Sequence, residues 1–112
     1  MNINEAIDGT IKLLREKGWT KHESAVDAEG NRVDFKSSAA CAFCIYGAFG
    51  RVTGEWELDQ PLTREFTNLL FAVLPRRDAE DGPDRILDFN DKEAESVDEI
   101  VAALEKAKVP NV

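Results

Sequence analysis

Apolar residues recur along the chain with helical period in three places. Ile3, Ile7, Ile11 and Leu14 follow at spacings of four, four and three, so they share one helix face, which Ala6, Thr10 and Leu13 widen. Asn2 or Asn4 can cap the start, Lys12, Arg15 and Lys17 suit the negative end of the dipole, and Gly18 stops the helix before Trp19. Leu62, Phe66, Leu69, Leu70 and Val73 make a second stripe, opened by Pro61 and ended before Pro75. Val97, Ile100, Val101 and Leu104 make a third, with Ser96 and Glu99 spaced as a capping box and Pro110 beyond the end.

Between the first two stripes the pattern changes. Ser24–Asp27 and Arg32–Phe35 flank Ala28–Asn31, with Gly30 able to take the positive φ of a bulged turn, so a β-hairpin is expected there. Its exposed edge would offer a surface for strand addition. Ala39–Phe49 is then apolar throughout, and Ser37 or Ser38 is a suitable cap, which predicts a helix buried on most sides. Ala40, Cys44 and Ala48 would line one side of it, small enough for a neighbouring helix to approach closely. Pro75–Asp84 reads as a polar loop broken by Gly82 and Pro83. The expected architecture is a single α+β domain over residues 1–112: about four helices packed around the central apolar helix, with a small β-hairpin.

Composition supports a folded chain. Six Phe, two Trp and one Tyr supply bulky core material. The start, Met1–Gly9, has no basic region leading into a long apolar one, and the apolar run is too short to span a bilayer. The expected setting is cytoplasmic, bacterial or the host cytoplasm if the chain is phage-encoded, with reduced thiols and no membrane.

Charge is uneven. Residues 1–77 hold eleven acids and ten bases, whereas residues 78–112 hold eleven acids and four bases, a net −7 out of −8. Phosphate repels such a surface, so direct nucleic-acid binding is not expected. A protein partner with a basic surface is, through Asp78, Glu80, Asp81, Asp84, Asp88, Asp91, Glu93 and Glu95. The bland alternative is a solvated acidic flank.

Candidate chemistry centres on Cys41 and Cys44. Structural zinc needs four ligands, and the chain has one Cys-x-x-Cys pair and one histidine, so no metal and no cofactor is expected. Apolar Ala42 and Phe43 between the thiols argue against a redox pair. Cys41 in the first turn of a helix would have its thiol pKa lowered by the dipole, and as a nucleophile it would need a base, for which His22 is the sole histidine; Asp91 is a further catalytic candidate. The expected outcome is nonetheless structural, with Cys41 and Cys44 both buried and not bonded to each other. Asn90-Asp91 reads first as an Asx-turn, and otherwise as an amide–carboxylate pair facing Gly47–Gly50. Asp88 and Asp91 have a cation-binding spacing, but no EF-hand loop surrounds them.

Three phrases in order carry a resemblance: the first helix ending in Gly18-Trp19, the Cys-containing apolar segment with Gly47-Ala48, and Phe89-Asn90-Asp91 ahead of the last helix. They resemble a small uncharacterised domain family of bacterial and phage genomes, in which the aromatic before Asn-Asp is usually Trp rather than Phe89. The resemblance implies no established activity and points to mobile-element biology. The leading expectation is therefore a small acidic protein-interaction module, in its phage or prophage form an inhibitor of a host defence or regulatory protein, anti-CRISPR-like, that occupies a groove meant for nucleic acid. The alternatives are a small cysteine-dependent enzyme using Cys41 and a structural, self-associating domain.

Overall fold

Asn2 caps the first helix, α1 (Ile3–Glu16): its side chain accepts the Glu5 N–H, and the Glu5 carboxylate accepts the Asn2 N–H in return. Asn4 has a different task, since its amide both donates to the Val109 carbonyl and accepts the Val109 N–H, tying the two ends of the fold together. The computed structural model describes residues 1–77 and 81–110. After α1 come β1 (Ala25–Val26), β2 (Ala42–Phe43), α2 (Ile45–Thr53), α3 (Pro61–Val73), α4 (Gly82–Asp88), a π-helical turn (Phe89–Glu93) and α5 (Val97–Ala107). This is an α+β fold, helices around one core with a small antiparallel pair of strands.

All five helices feed that core. Ile7 and Leu14 of α1, Phe49 of α2, Phe66 and Leu70 of α3, Ile86 of α4 and Leu104 of α5 are buried together. Phe49 and Phe66 stack with centroids 4.0 Å apart, and Tyr46 meets Phe66 edge-on at 6.1 Å. α2 lies in the middle, buried at Ile45, Gly47, Ala48, Phe49 and Gly50. Gly47 is required there: a Cβ on it would stand 1.9 Å from the Ser24 carbonyl oxygen, so any side chain would drive β1 off the helix.

Four expectations need correction. The helix expected over Ala39–Phe49 begins only at Ile45. Residues 41–44 are extended, because β1 and the chain after α1 claim their backbone: Cys41 N–H donates to Val26, Phe43 N–H to Gly18 and Cys44 N–H to Ser24, while Thr20 N–H donates to Phe43. An apolar run without period serves a buried strand as well as a helix. The close approach to α2 accordingly comes from Gly9 of α1 against Val52, not from a row of Ala40, Cys44 and Ala48 on one helix.

The second correction concerns the hairpin. Its turn forms as expected, with Gly30 at φ 85° and the Asp27 carboxylate accepting the Glu29 and Asn31 N–H groups. However, β1 pairs with Ala42–Phe43, Ala25 opposite Phe43, and Arg32 makes only an isolated bridge to Val26. The turn in which Ser37 N–H donates to the Asp34 carbonyl takes the chain out of register before a second strand can extend.

Third, Gly82 and Pro83 do not break a loop but open α4, because Asp81 caps it through the Asp84 N–H and a proline fits the first helical turn. Fourth, the Glu99 carboxylate takes the Glu95 N–H rather than closing a box onto Ser96, although the Ser96 hydroxyl does cap the Glu99 N–H. Among the described residues no helix is long and apolar enough to cross a membrane.

Candidate functional site

The π-helical turn delivers Asn90 into the interior, where it is fully buried. A π-turn inserts a residue into the helical count and re-aims the side chains on it, and such turns concentrate at functional sites. Asn90 uses its whole amide. Its Oδ1 accepts from Trp19 Nε1 at 2.8 Å and from Ile45 N at 3.1 Å; its Nδ2 donates to the Thr20 carbonyl at 3.2 Å and to Asp91 Oδ1 at 2.8 Å. The Asx-turn expected of Asn90-Asp91 is thus not what forms: the amide joins the end of α1, the start of α2 and the π-turn.

Asp91 and His22 meet beside it. Asp91 Oδ1 accepts the His22 backbone N–H at 2.8 Å, and its Oδ2 stands 3.7 Å from His22 Nδ1. His22 holds φ at 71°, in the left-handed region where a non-glycine residue is under strain, and the Asp91 bond fixes it there. Its imidazole is 68% exposed and the carboxylate 19%.

Cysteine chemistry fares differently at its two positions. Cys44 is buried and is itself the cap of α2, its Sγ accepting the Gly47 N–H. Burial pushes its thiol above the ordinary value; the backbone N–H groups of Gly47 and Tyr46 oppose that, and the Asp91 charge adds to it. A thiol so held is a poor nucleophile. Cys41 is half-buried rather than buried, and it lies in an extended segment, without the helix start that would activate it. Its Sγ donates to the Ala39 carbonyl, and the hollow beside it is lined by Asp27, Ala28, Glu29, Ser38 and Ala39. The structure therefore brings His22 and Asp91 together and places Cys41 against the 27–29 turn. Both thiols are free. Among the described residues no group of three or more His, Cys, Asp or Glu is placed to hold a metal ion.

The acidic residues divide by what they already hold. Asp81 caps α4, Asp88 pairs with Lys92 at 3.3 Å, and Asp91 braces His22. Glu93 is a structural clamp: its two oxygens take the Arg85 guanidinium at 2.6 and 2.9 Å and its Oε2 also meets Arg77 at 2.9 Å. Arg85 is 1% exposed and also donates from Nε to the Pro75 carbonyl, so it sews α4 to the π-turn and to the end of α3. Asp84 and Glu95 are exposed, and neither carboxylate has a cationic partner among the described residues. Asp78 and Glu80 lie outside the described residues.

A feature missed in the sequence lies on the turn between α2 and α3. Trp56 and Leu58 are 62% and 52% exposed, beside a hollow of about 100 Å³ walled by Phe35, Tyr46, Phe49 and Glu55. Tyr46 donates to or accepts from Thr67 Oγ1 at 2.7 Å, and burial pushes its hydroxyl pKa up to about 12. Burial also pushes Glu55 up, but bonds from the Thr63 hydroxyl and the Thr63 and Leu62 N–H groups outweigh it and hold the carboxylate below its ordinary value. The signal was present in the sequence: a Trp and a Leu alternating with acids in a polar turn.

Helices around one core, with a buried amide holding three segments together, define a small α+β domain. The chain belongs to the family of unknown function DUF6197, whose model matches residues 1–109, in keeping with the uncharacterised family that the three phrases resembled. No curated protein and no solved structure matches.

Proposed function

We propose that the chain is a non-catalytic protein-interaction module for a partner with a basic surface. The observation that carries this reading is the number of exposed carboxylates with no cationic partner among the described residues, Asp84, Glu95, Glu57 and Asp59 among them, on a chain of net charge −8. Unpaired surface carboxylates add little to folding, but they attract a basic partner and reject acidic ones. The high-pKa thiol of Cys44 and the separate setting of Cys41 favour this reading over a cysteine enzyme.

In its narrower form the partner is a host defence or regulatory protein of a bacterium, and the chain, phage- or prophage-encoded, blocks a basic groove that otherwise holds nucleic acid. The net −7 of residues 78–112 supports that form. The test is cross-linked capture of the partner from the source cell, followed by affinity measurements on the purified pair from about 0.05 to 0.5 M salt, a range over which the screening length falls below about 5 Å. Affinity that drops steeply with salt is the expected result. Affinity indifferent to salt would contradict a basic partner. Competition by nucleic acid for the captured partner tests the narrower form.

A further inference from the structure

We propose that the Glu55–Asp59 turn is the docking point for a basic amphipathic segment of a partner protein: an apolar side chain enters the hollow beside Trp56, and Lys or Arg groups flanking it meet Glu57 and Asp59. This rests on the protein-interaction reading above and locates it away from the acidic third of the chain.

The turn is built before any partner arrives. The Trp56 and Glu57 N–H groups both donate to Gln60 Oε1, at 2.8 and 2.9 Å, and the Glu55 carboxylate is anchored on the first turn of α3. The floor is equally fixed, because Phe35 packs so closely on Gly50 that a Cβ there would stand 2.9 Å from its ring. A preformed site avoids the ordering cost of binding, and Trp is among the side chains enriched at interface hot spots. The hollow of about 100 Å³ suits one inserted side chain; sites for whole small molecules run to roughly 300–1,000 Å³.

Charge selects the occupant. The Trp56 ring already carries a cation, the Lys36 ammonium, 4.0 Å from its centroid. The neighbouring guanidinium of Arg51 is spent on the Phe35 and Ser37 carbonyls. Glu57 and Asp59 are exposed on either side of Leu58, and neither has a cationic partner among the described residues. Apolar groups interleaved with unpaired carboxylates complement a segment that interleaves apolar groups with cations. They repel the phosphates of nucleic acid and of anionic lipid alike.

The test is a ¹⁵N NMR titration with a synthetic amphipathic Lys/Leu peptide, its Glu/Leu counterpart, a Lys/Ser version without the apolar face, and vesicles of phosphatidylcholine with and without phosphatidylglycerol. The Lys/Leu peptide is expected to shift the Trp56 indole signal and residues 55–59 saturably, with the Glu/Leu and Lys/Ser peptides much weaker. Trp56→Ala and the double variant Glu57→Lys/Asp59→Lys, each confirmed folded by its spectrum, should each weaken it roughly tenfold or more, as for an interface hot spot. Saturable shifts centred instead on Asp84 and Glu95 would overturn this docking point while leaving the interaction reading standing. Preferential binding to the vesicles would overturn it in favour of a lipid surface. No saturable shift at any residue with either Lys peptide would overturn both readings.

Discussion

The Trp19 indole N–H donates to Asn90 Oδ1 at 2.8 Å across 71 positions of sequence, and the same oxygen accepts the first N–H of α2. The end of one helix, the start of another and the π-turn thus depend on one buried amide. Replacing Asn90 with Leu keeps its bulk and strands the Trp19 and Ile45 donors. Each buried donor left unpaired costs about 1–3 kcal/mol, so urea unfolding should show a loss of at least about 2 kcal/mol. A loss below ~0.5 kcal/mol would mean that the amide holds nothing together.

The two thiols should react at different rates. Cys41 is half-buried and Cys44 is buried with its pKa raised, first by desolvation. A maleimide should therefore label Cys41 in the folded protein, while Cys44 reacts only as fast as the protein opens. Mass spectrometry of a labelling time course reads both sites. Equal rates would contradict the extended 41–44 segment and the capping role of Cys44.

Tyr46 is the only tyrosine, so tyrosinate absorbance follows it alone. Burial raises its pKa from 10.0 to about 12. Its neutral form is the one folding favours, so this contribution to stability is complete below the unfolded value near 10.0 and is lost as pH rises toward about 12. The folded protein should thus titrate well above pH 10.0, with stability falling through that window. A midpoint at the ordinary value would place the ring in water.

Glu93 belongs to the fold, although by sequence it sits among the candidate partner contacts. Glu93→Gln removes one charge that faces the 1% exposed Arg85 guanidinium, which keeps its bond to the Pro75 carbonyl. Breaking one side of a buried pair costs about 3–5 kcal/mol, and the 23% exposure of Glu93 places the loss at the lower end. Thermal melts should show it clearly, whereas Asp84→Lys should leave the melt nearly unchanged.

The helices legible in the sequence were those with one wet face. α1, α3 and α5 carry stripes at helical spacing, and solvent on the opposite face imposes the period that reveals them. Residues 41–44 are apolar at every position, so nothing in their pattern separates strand from helix, and the helical expectation for Cys41 followed from that. α4 was hidden because Gly82-Pro83 both breaks chains and begins helices, and only the Asp81 cap decides between the two. Asn90 was singled out as a residue with local turn chemistry; its actual partners, Trp19, Thr20 and Ile45, are long-range and invisible to any local rule. Arg85 counts in the sequence only as one of four bases in the acidic third, and no nearby pattern announces that Glu93 and Pro75 enclose it.

The most direct measurement of the central claim is the association rate with the purified partner, by stopped flow, for the wild type and for a variant with Glu57, Asp59, Asp84 and Glu95 all changed to Lys. These carboxylates have no cationic partner among the described residues, so the variant should melt within about 1 kcal/mol of the wild type. Its association should be slower by roughly tenfold or more at low salt, with the difference shrinking as salt is added. An unchanged rate in a folded variant, or a rate indifferent to salt in both proteins, would contradict recognition of a basic partner through these side chains.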